Sequence, residues 1–355
     1  MSGFTSNEKK RLFSLFENVK DEIGVDGLKK TVNSDVLLVD GLNTFIRSFM
    51  AVPSMNDDGM HTGGIAGFLK SIGYAIKLLG PTRVVVVFDG TGGSQKRRKI
   101  YPDYKKGRRT RIRFNRTYEE MSGSDLEEKN LKLELLRLIN YLDVLPLTTM
   151  SIDNIEADDT IAYLAEQTFK DSNVTIMSSD KDFLQLASDK IKIWSPTKKK
   201  IFGCKEIIDE YGVSCSNFVL YRTMEGDDSD NIPGIEGAGL KRILQAYPFL
   251  ADERESNLQE IYNYSENHKG KYKLYERVLA DKLTMERNFE LMQLKSTQIQ
   301  SFTQLRIEEI VQKPVPRINK LAFSKLINED KMWSNLPNYN VWLSETWGKI
   351  NSFVL

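Results

Sequence analysis

Two short apolar runs in this chain each end in an aspartate. Val36-Leu-Leu-Val39 leads into Asp40-Gly41, and Arg83-Val-Val-Val-Val-Phe88 leads into Asp89-Gly90. Runs of aliphatic residues with no polar alternation have no face to give to water. Each therefore reads as a strand buried on both sides, the kind found in parallel sheets. Residues 62–79 read as a helix closed by Gly80-Pro81. A second helix is expected at 125–142 and a short strand at 144–148. Ile155-Glu-Ala-Asp-Asp159 opens an apolar helix that reaches Phe169. A third clear strand, 174–177, ends in Ser178-Ser-Asp180-Lys-Asp182, and a further strand is expected at 190–194. Strands alternating with helices predict an α/β fold with a mainly parallel sheet. In such sheets ligands bind at the carboxyl edge, and Asp40, Asp89 and Asp180 all fall there.

Glu156, Asp158, Asp159, Asp182, Asp227 and Asp230 join those three, so nine carboxylates are candidates for one site. Any one of them has an ordinary explanation. An acid at a helix start favours the helix dipole, and an aspartate after a strand commonly begins a turn. Together, without cations, they would repel strongly in a low-dielectric cleft. An all-oxygen donor set selects Mg2+ or Mn2+. The only histidines are His61 and His268, which argues against zinc and against His-based acid–base chemistry.

The net charge of +1 hides a strong segregation. Between Gln95 and Arg116 stand eleven Lys or Arg residues and one acid, Asp103. Tyr101, Tyr104, Phe114 and Tyr118 lie in or just after that run. A basic segment with aromatic faces suits a phosphate backbone and its bases. Because it follows Asp89 directly, it should overhang the acidic edge. The two cysteines, Cys204 and Cys215, form no metal-ligand pattern and read as separate reduced thiols of a cytoplasmic protein. No apolar run approaches the roughly 20 residues of a membrane span, and no signal peptide is expected at the N-terminus.

Residues 1–34 read as a helical extension, with Leu12, Phe13, Leu15, Phe16 and Val19 at helical spacing. After Lys200 the texture turns helical. Gly226-Asp-Asp-Ser-Asp230-Asn-Ile-Pro233 runs into Gly234-Ile-Glu-Gly237-Ala-Gly239, which precedes Lys241 and Arg242. The acidic half suits a metal, with Asp228 reading as solvent-facing and without a role. The glycine half feeds a helix start whose bare N–H groups suit phosphate. Gly90-Thr-Gly-Gly-Ser94 lacks the lysine of a phosphate-binding loop, so a nucleotide triphosphatase is not expected.

These motifs, in this order, resemble the 5′-nucleases or flap endonucleases, a family that includes phage 5′-exonuclease/ribonuclease H enzymes and the 5′-nuclease domain of bacterial DNA polymerase I. The resemblance rests on Val39-Asp40-Gly41, Val87-Phe-Asp89-Gly90, Ile155–Asp159 with Ser178–Asp182, and Gly226–Gly239. Tyr101-Pro-Asp-Tyr104-Lys105-Lys-Gly-Arg108 is similar to the family's arch or gateway. The resemblance implies a PIN-like, mainly parallel sheet flanked by helices, with a helical arch at 91–123. It further implies a nuclease domain at 35–200, a helix–three-turn–helix DNA-binding domain at 201–300 and a helical tail at 301–355.

Position by position, the resemblance implies a first metal site on Asp40, Asp89, Glu156 and Asp158. A second would use Asp158, Asp180, Asp182 and Asp230, with Asp227 nearby and Asp159 behind. Lys105 and Arg108 would meet the scissile phosphate, supported by Arg97 and Arg98, and Tyr104 would stack on a terminal base. Gly234, Gly237, Gly239, Lys241 and Arg242 would grip duplex DNA, with a K+ ion at the hairpin. The implied activity is Mg2+-dependent, two-ion hydrolysis near 5′ ends or flaps, leaving 5′-phosphates and removing primers or flaps in replication. Implied partners are DNA and a single-stranded-DNA-binding or other replication protein, and the chain is expected to be monomeric. A viral source, hence a host cytoplasm, is also an implication of the phage resemblance. The competing expectations are a PIN-type ribonuclease, which lacks the 227–242 segment, and an inactive junction-binding protein, which has no need of the acids.

Overall fold

A computed structural model describes residues 30–107, 124–295 and 299–354, with side chains from 127 onward in the second stretch. The chain divides into two compact units, Met1–Thr31 and Val32–Leu355. The expected extension at 1–34 therefore lies almost wholly outside the described residues, as does the arch beyond Gly107. All the described strands and helices belong to the second unit.

Six strands form one sheet: β1 (Asp35–Asp40), β2 (Arg83–Asp89), β3 (Thr148–Ile152), β4 (Asn173–Met177), β5 (Ile191–Ser195) and β6 (Lys200–Phe202). Their order is β3-β2-β1-β4-β5-β6. The first five are parallel, and only the β5–β6 pair is antiparallel. The unalternating runs have the predicted consequence, since Val36–Val39 and Val84–Val87 are almost completely buried. One face, with Val36, Leu38, Val85, Val87, Val174 and Ile176, packs on the helix Ala157–Tyr163 and on helices after residue 204. The other face, with Leu37, Val39, Val84 and Val86, packs on the helices Gly41–Ala51, Gly63–Leu79 and Ser124–Leu142. Gly80 closes the helix Gly63–Leu79 at φ +60°, a backbone conformation glycine takes without strain.

The third strand begins at Thr148, where a strand over 144–148 was expected. Pro146 has no N–H for the ladder. Leu145 and Leu147 are buried in a connection instead, and pairing starts with Val85 opposite Thr148. The cysteines also depart from expectation. Cys204, where the chain leaves β6, and Cys215, at the turn before the helix Phe218–Glu225, have Cα atoms 5.4 Å apart and form a disulfide. Separate reduced thiols are thus corrected. No described helix is long and apolar enough to cross a membrane.

The core crosses residues 200 and 300, where the sequence changes texture. Helices Lys320–Glu329 and Tyr339–Asn351 add Phe323, Ile327, Leu343 and Trp347 to the core that holds Leu37 and Val39. Arg83 at the start of β2 donates to the carbonyl of Val311 at 2.7 Å, a further tie. Trp347→Ala should therefore cost about 3–5 kcal/mol. Urea unfolding should show this as a lower midpoint of one global transition. Loss of a minor transition alone would mean that residues 301–355 fold apart from the sheet.

Candidate active site

β1 and β2 end on Asp40 and Asp89, and β4 is followed by Ser178-Ser179-Asp180. Parallel pairing therefore brings all three acids to one edge. The helix Ala157–Tyr163 starts at this edge, with Glu156 at its N-cap and Asp158 and Asp159 in its first turn. Asp89 accepts from the Ala157 N–H at 2.8 Å, which locks that helix start to the end of β2. Asp40 accepts from the Asn43 N–H at 3.1 Å and from the Ser178 hydroxyl at 3.0 Å.

The carboxylates form a continuous electrostatic set. Burial pushes Asp40 up to about 7, and the charges of Asp180 and Asp89 add to it. Burial and then Asp180 push Asp182 up to about 6. Burial likewise raises Asp158, with Asp180 and Asp40 contributing, and raises Asp180, with Asp227 and Asp230 contributing. Among the described residues no three acids converge on one point at metal-coordination distance. Protein cations stand among them instead.

Three cations do this. Lys105 Nζ donates to Glu156 Oε1 at 3.0 Å and lies 4.0 Å from Asp230. Arg97 donates to Glu156 at 2.9 Å and to both oxygens of Asp159, at 2.7 and 3.0 Å. Burial opposes the charge on Glu156, but Arg97 and Lys105 outweigh it and hold the carboxyl below its usual range. Arg222, which is 4% exposed, donates to Asp182 at 2.8 Å, Glu225 at 2.7 Å and Asp227 at 2.5 Å. Arg222 was not singled out from the sequence. It sits in the apolar, aromatic run of the helix Phe218–Glu225, where nothing but its charge marks it. A cleft of about 500 Å³ opens over Arg222, Asp180 and Asp227, with Asn43 and Ser179 at its wall.

Two expected DNA contacts are corrected. Tyr104 is 3% exposed, so its ring is not presented to a base. It packs with Ile232, Leu291 and Met292, and its hydroxyl donates to Glu156 at 3.0 Å and Asp230 at 3.3 Å. Arg97 is turned inward by the short helix Gln95–Ile100 and is spent on Glu156 and Asp159, whereas Lys96, Arg98 and Lys99 face solvent. Asp159 has both oxygens on Arg97. Asp228 is exposed, as expected. Arg108 lies outside the described residues.

The glycine segment has a compact cause. Gly226, at φ +78°, and Gly234 pack backbone to backbone, and a Cβ on Gly234 would lie 2.0 Å from the Glu225 carbonyl. This closeness allows the two-residue ladder between Gly226–Asp227 and Ile232–Pro233. The loop between holds Asp227 and Asp230 at the sheet edge, with Asp227 accepting from the Ser229 N–H at 2.8 Å. Beyond it, Gly239, Lys241 and Arg242 are exposed, and Gly237 and Arg242 share a cleft with Lys273 and Arg277. Lys273 and Arg277, from the helix Lys273–Ala280, extend this basic surface beyond the residues identified in the sequence.

The family described as 5′-3′ exonuclease, N-terminal resolvase-like domain, matches residues 35–212. A 5′-3′ exonuclease of Aquifex aeolicus is 31% identical over 291 residues, covering 80% of this chain and 88% of that protein. DNA polymerase I of Bacillus subtilis is 32% identical over 222 residues, which are 61% of this chain and 23% of the polymerase. Among solved structures, the bacteriophage T5 flap endonuclease, in a complex with DNA and metal ions, superposes with a TM-score of 0.59 at 19% identity. That match covers 83% of this chain and 97% of the phage enzyme. The acidic sheet edge, the basic segment after β2 and the glycine turn lie together in a chain that belongs to the 5′-3′ exonuclease family.

Proposed function

We propose that this protein is a structure-specific 5′-nuclease that hydrolyses phosphodiesters near 5′ ends or flaps at DNA duplex junctions, with two Mg2+ ions as cofactors. The observation that carries this reading is the joining of two surfaces by one segment. Residues 226–242 hold Asp227 and Asp230 at the carboxylate edge and expose Lys241 and Arg242 beside the glycine turn. A backbone held at the turn is thereby held at a set distance from the acids.

The donor set supports a hard divalent cation. The cluster is made of carboxylates, and neither histidine nor cysteine has been placed in it. Asp40, Asp89, Glu156 and Asp158 would hold one ion, and Asp158, Asp180, Asp182 and Asp230 the other, with Asp227 beside it. When bound, such ions activate water and stabilise a leaving oxygen. Lys105 contributes a positive charge on Glu156 at the same edge, suited to charge building on phosphoryl oxygens. Arg98 and Lys99, exposed at the base of the arch, would receive the backbone without reading its sequence. The glycine turn with Lys241 and Arg242 would hold the duplex, and a K+ ion at that turn is part of the proposal. A primer- or flap-removing role in replication, beside a single-stranded-DNA-binding protein, is consistent with this substrate.

A 5′-flap duplex incubated with Mg2+ should be cut near the junction, and EDTA should stop the cutting. Asp180→Asn should lower kcat by about a thousandfold, as expected when a cation ligand worth several kcal/mol is lost. Flap affinity should change little. No Mg2+-dependent cleavage by the wild-type protein would overturn the reading.

Metal affinity should also depend on pH in a defined direction. Asp40 is pushed up to about 7 and Asp182 to about 6, so below these values a cation must displace protons. Mn2+ binding followed by calorimetry should strengthen as pH rises from about 5.5 to 8 and should release protons at the lower pH. Affinity independent of pH over that range would show that these acids are not ligands.

A further inference from the structure

The helix Lys282–Met292 carries none of the residues assigned above, yet it touches the segment after β2, the turn that begins with Asp182, the helix bearing Arg222 and the residue before the glycine turn. At its C-terminal end, the Leu291 carbonyl accepts from Arg97 Nε at 2.9 Å. The Met292 carbonyl accepts from the Gln185 amide at 3.0 Å, and the Leu294 N–H donates back to Gln185 Oε1 at 2.8 Å. Gln185 lies on the turn Asp182–Leu186, which begins with one of the acids. One turn earlier in the helix stand Arg287 and Asn288.

Asn288 is fully buried. Its amide donates to the Pro233 carbonyl at 2.8 Å and to the Thr223 carbonyl at 3.1 Å. Pro233 immediately precedes the glycine turn, and Thr223 immediately follows Arg222. Asn288 Oδ1 accepts from Arg287 Nε at 3.2 Å and from its terminal nitrogen at 2.9 Å. The same guanidinium lies over the ring of Tyr101, 4.4 Å from its centroid. Tyr101 closes the helix Gln95–Ile100 and packs with Tyr104, Ile232, Leu291 and Met292 in a small core of its own. The path therefore runs from the base of the arch, through Arg287 and Asn288, to the start of the glycine turn and to the helix bearing Arg222. Two direct links run parallel to it. The Lys105 N–H donates to the Asp230 carbonyl at 2.9 Å, and the Asn231 amide donates to the Asp103 carbonyl at 2.8 Å.

We propose that Arg287 and Asn288 are positioning residues that lock the base of the arch to the glycine turn, and so set which phosphodiester reaches the carboxylates. Burial of Asn288 makes its two carbonyl contacts costly to break. Arg287 has a guanidinium plane that can stack on Tyr101 while its edge donates to Asn288, a combination lysine cannot reproduce in full. The proposal rests on the nuclease reading for its consequence in cleavage, but the coupling itself is a property of the protein alone.

The test uses the whole chain with Arg287→Gln, Arg287→Lys and Tyr101→Leu, the last removing the same contact from the other side. Hydrogen exchange at the Tyr104 and Lys105 amides is measured without DNA or metal, and cleavage positions are mapped on a 5′-flap duplex with Mg2+. Arg287→Gln and Tyr101→Leu should speed exchange at these amides roughly tenfold, as for loss of a local tie. They should also spread cleavage over neighbouring phosphodiesters, with the unfolding midpoint held. Arg287→Lys should recover part of both effects. Wild-type exchange in both disrupting variants would overturn the coupling. Faster exchange with an unchanged cleavage register would overturn its role in positioning. If the wild-type protein did not cut the flap at all, the nuclease reading would fail, and the exchange comparison would still decide whether the coupling exists.

Discussion

The site depends on one electrostatic constraint. Acids gathered on a buried sheet edge raise one another's cost of ionisation unless positive charge stands among them. Lys105, Arg97 and Arg222 supply that charge from three different segments of the chain. Each is buried or nearly so, and each meets at least two carboxylates. The balance is incomplete. Burial keeps Asp40, Asp158, Asp180 and Asp182 raised, Asp182 in spite of its contact with Arg222, while the cations and hydrogen bonds around Glu156 and Asp227 outweigh burial and lower those two. The protein's own cations therefore offset only part of the charge, and the acids left unneutralised would accept divalent ions together with Glu156.

The same pairs that balance charge also hold the architecture. Lys105 belongs to the segment after β2 and Asp230 to the loop before the glycine turn, and a backbone hydrogen bond joins them beside their ion pair. Arg222 joins the helix Phe218–Glu225 to Asp182 at the sheet edge. Removing a charge here changes geometry as well as potential. These pairs tie the segment after β2, the sheet edge and the glycine turn together, and the core likewise runs across residues 200 and 300.

Much of this was legible in the sequence, for definite reasons. Short unalternating apolar runs bounded by turn residues suit doubly buried strands, so the sheet followed from β1 and β2 and, with the shorter β4, so did the three strand-end acids. The tight turn that holds Asp227 and Asp230 at the sheet edge followed from putting aspartates and glycines in one segment, residues 224–242. Other features leave no such trace. Pro146 displaced β3 because a missing N–H matters only once the partner strand is known. The inward turn of Arg97 and the burial of Tyr104 depend on the phase of a six-residue helix inside a basic run, where no apolar pattern marks the inner face. Arg222 and Asn288 are buried polar residues on otherwise ordinary helices, and Asp182, Thr223 and Pro233, which fix their roles, are 40 to 65 residues away. The disulfide needed the meeting of Cys204 and Cys215 across a turn that local spacing does not predict.

The central claim is that the unneutralised acids form a divalent-ion site flanked by fixed protein cations. The most direct measurement is anomalous diffraction from crystals grown with Mn2+. The account predicts two peaks about 4 Å apart among Asp40, Asp158 and Asp180, with Arg97 still on Asp159 and Arg222 still on Asp227. Manganese absent from these carboxylates, or bound only after Arg97 and Arg222 have left theirs, would contradict it.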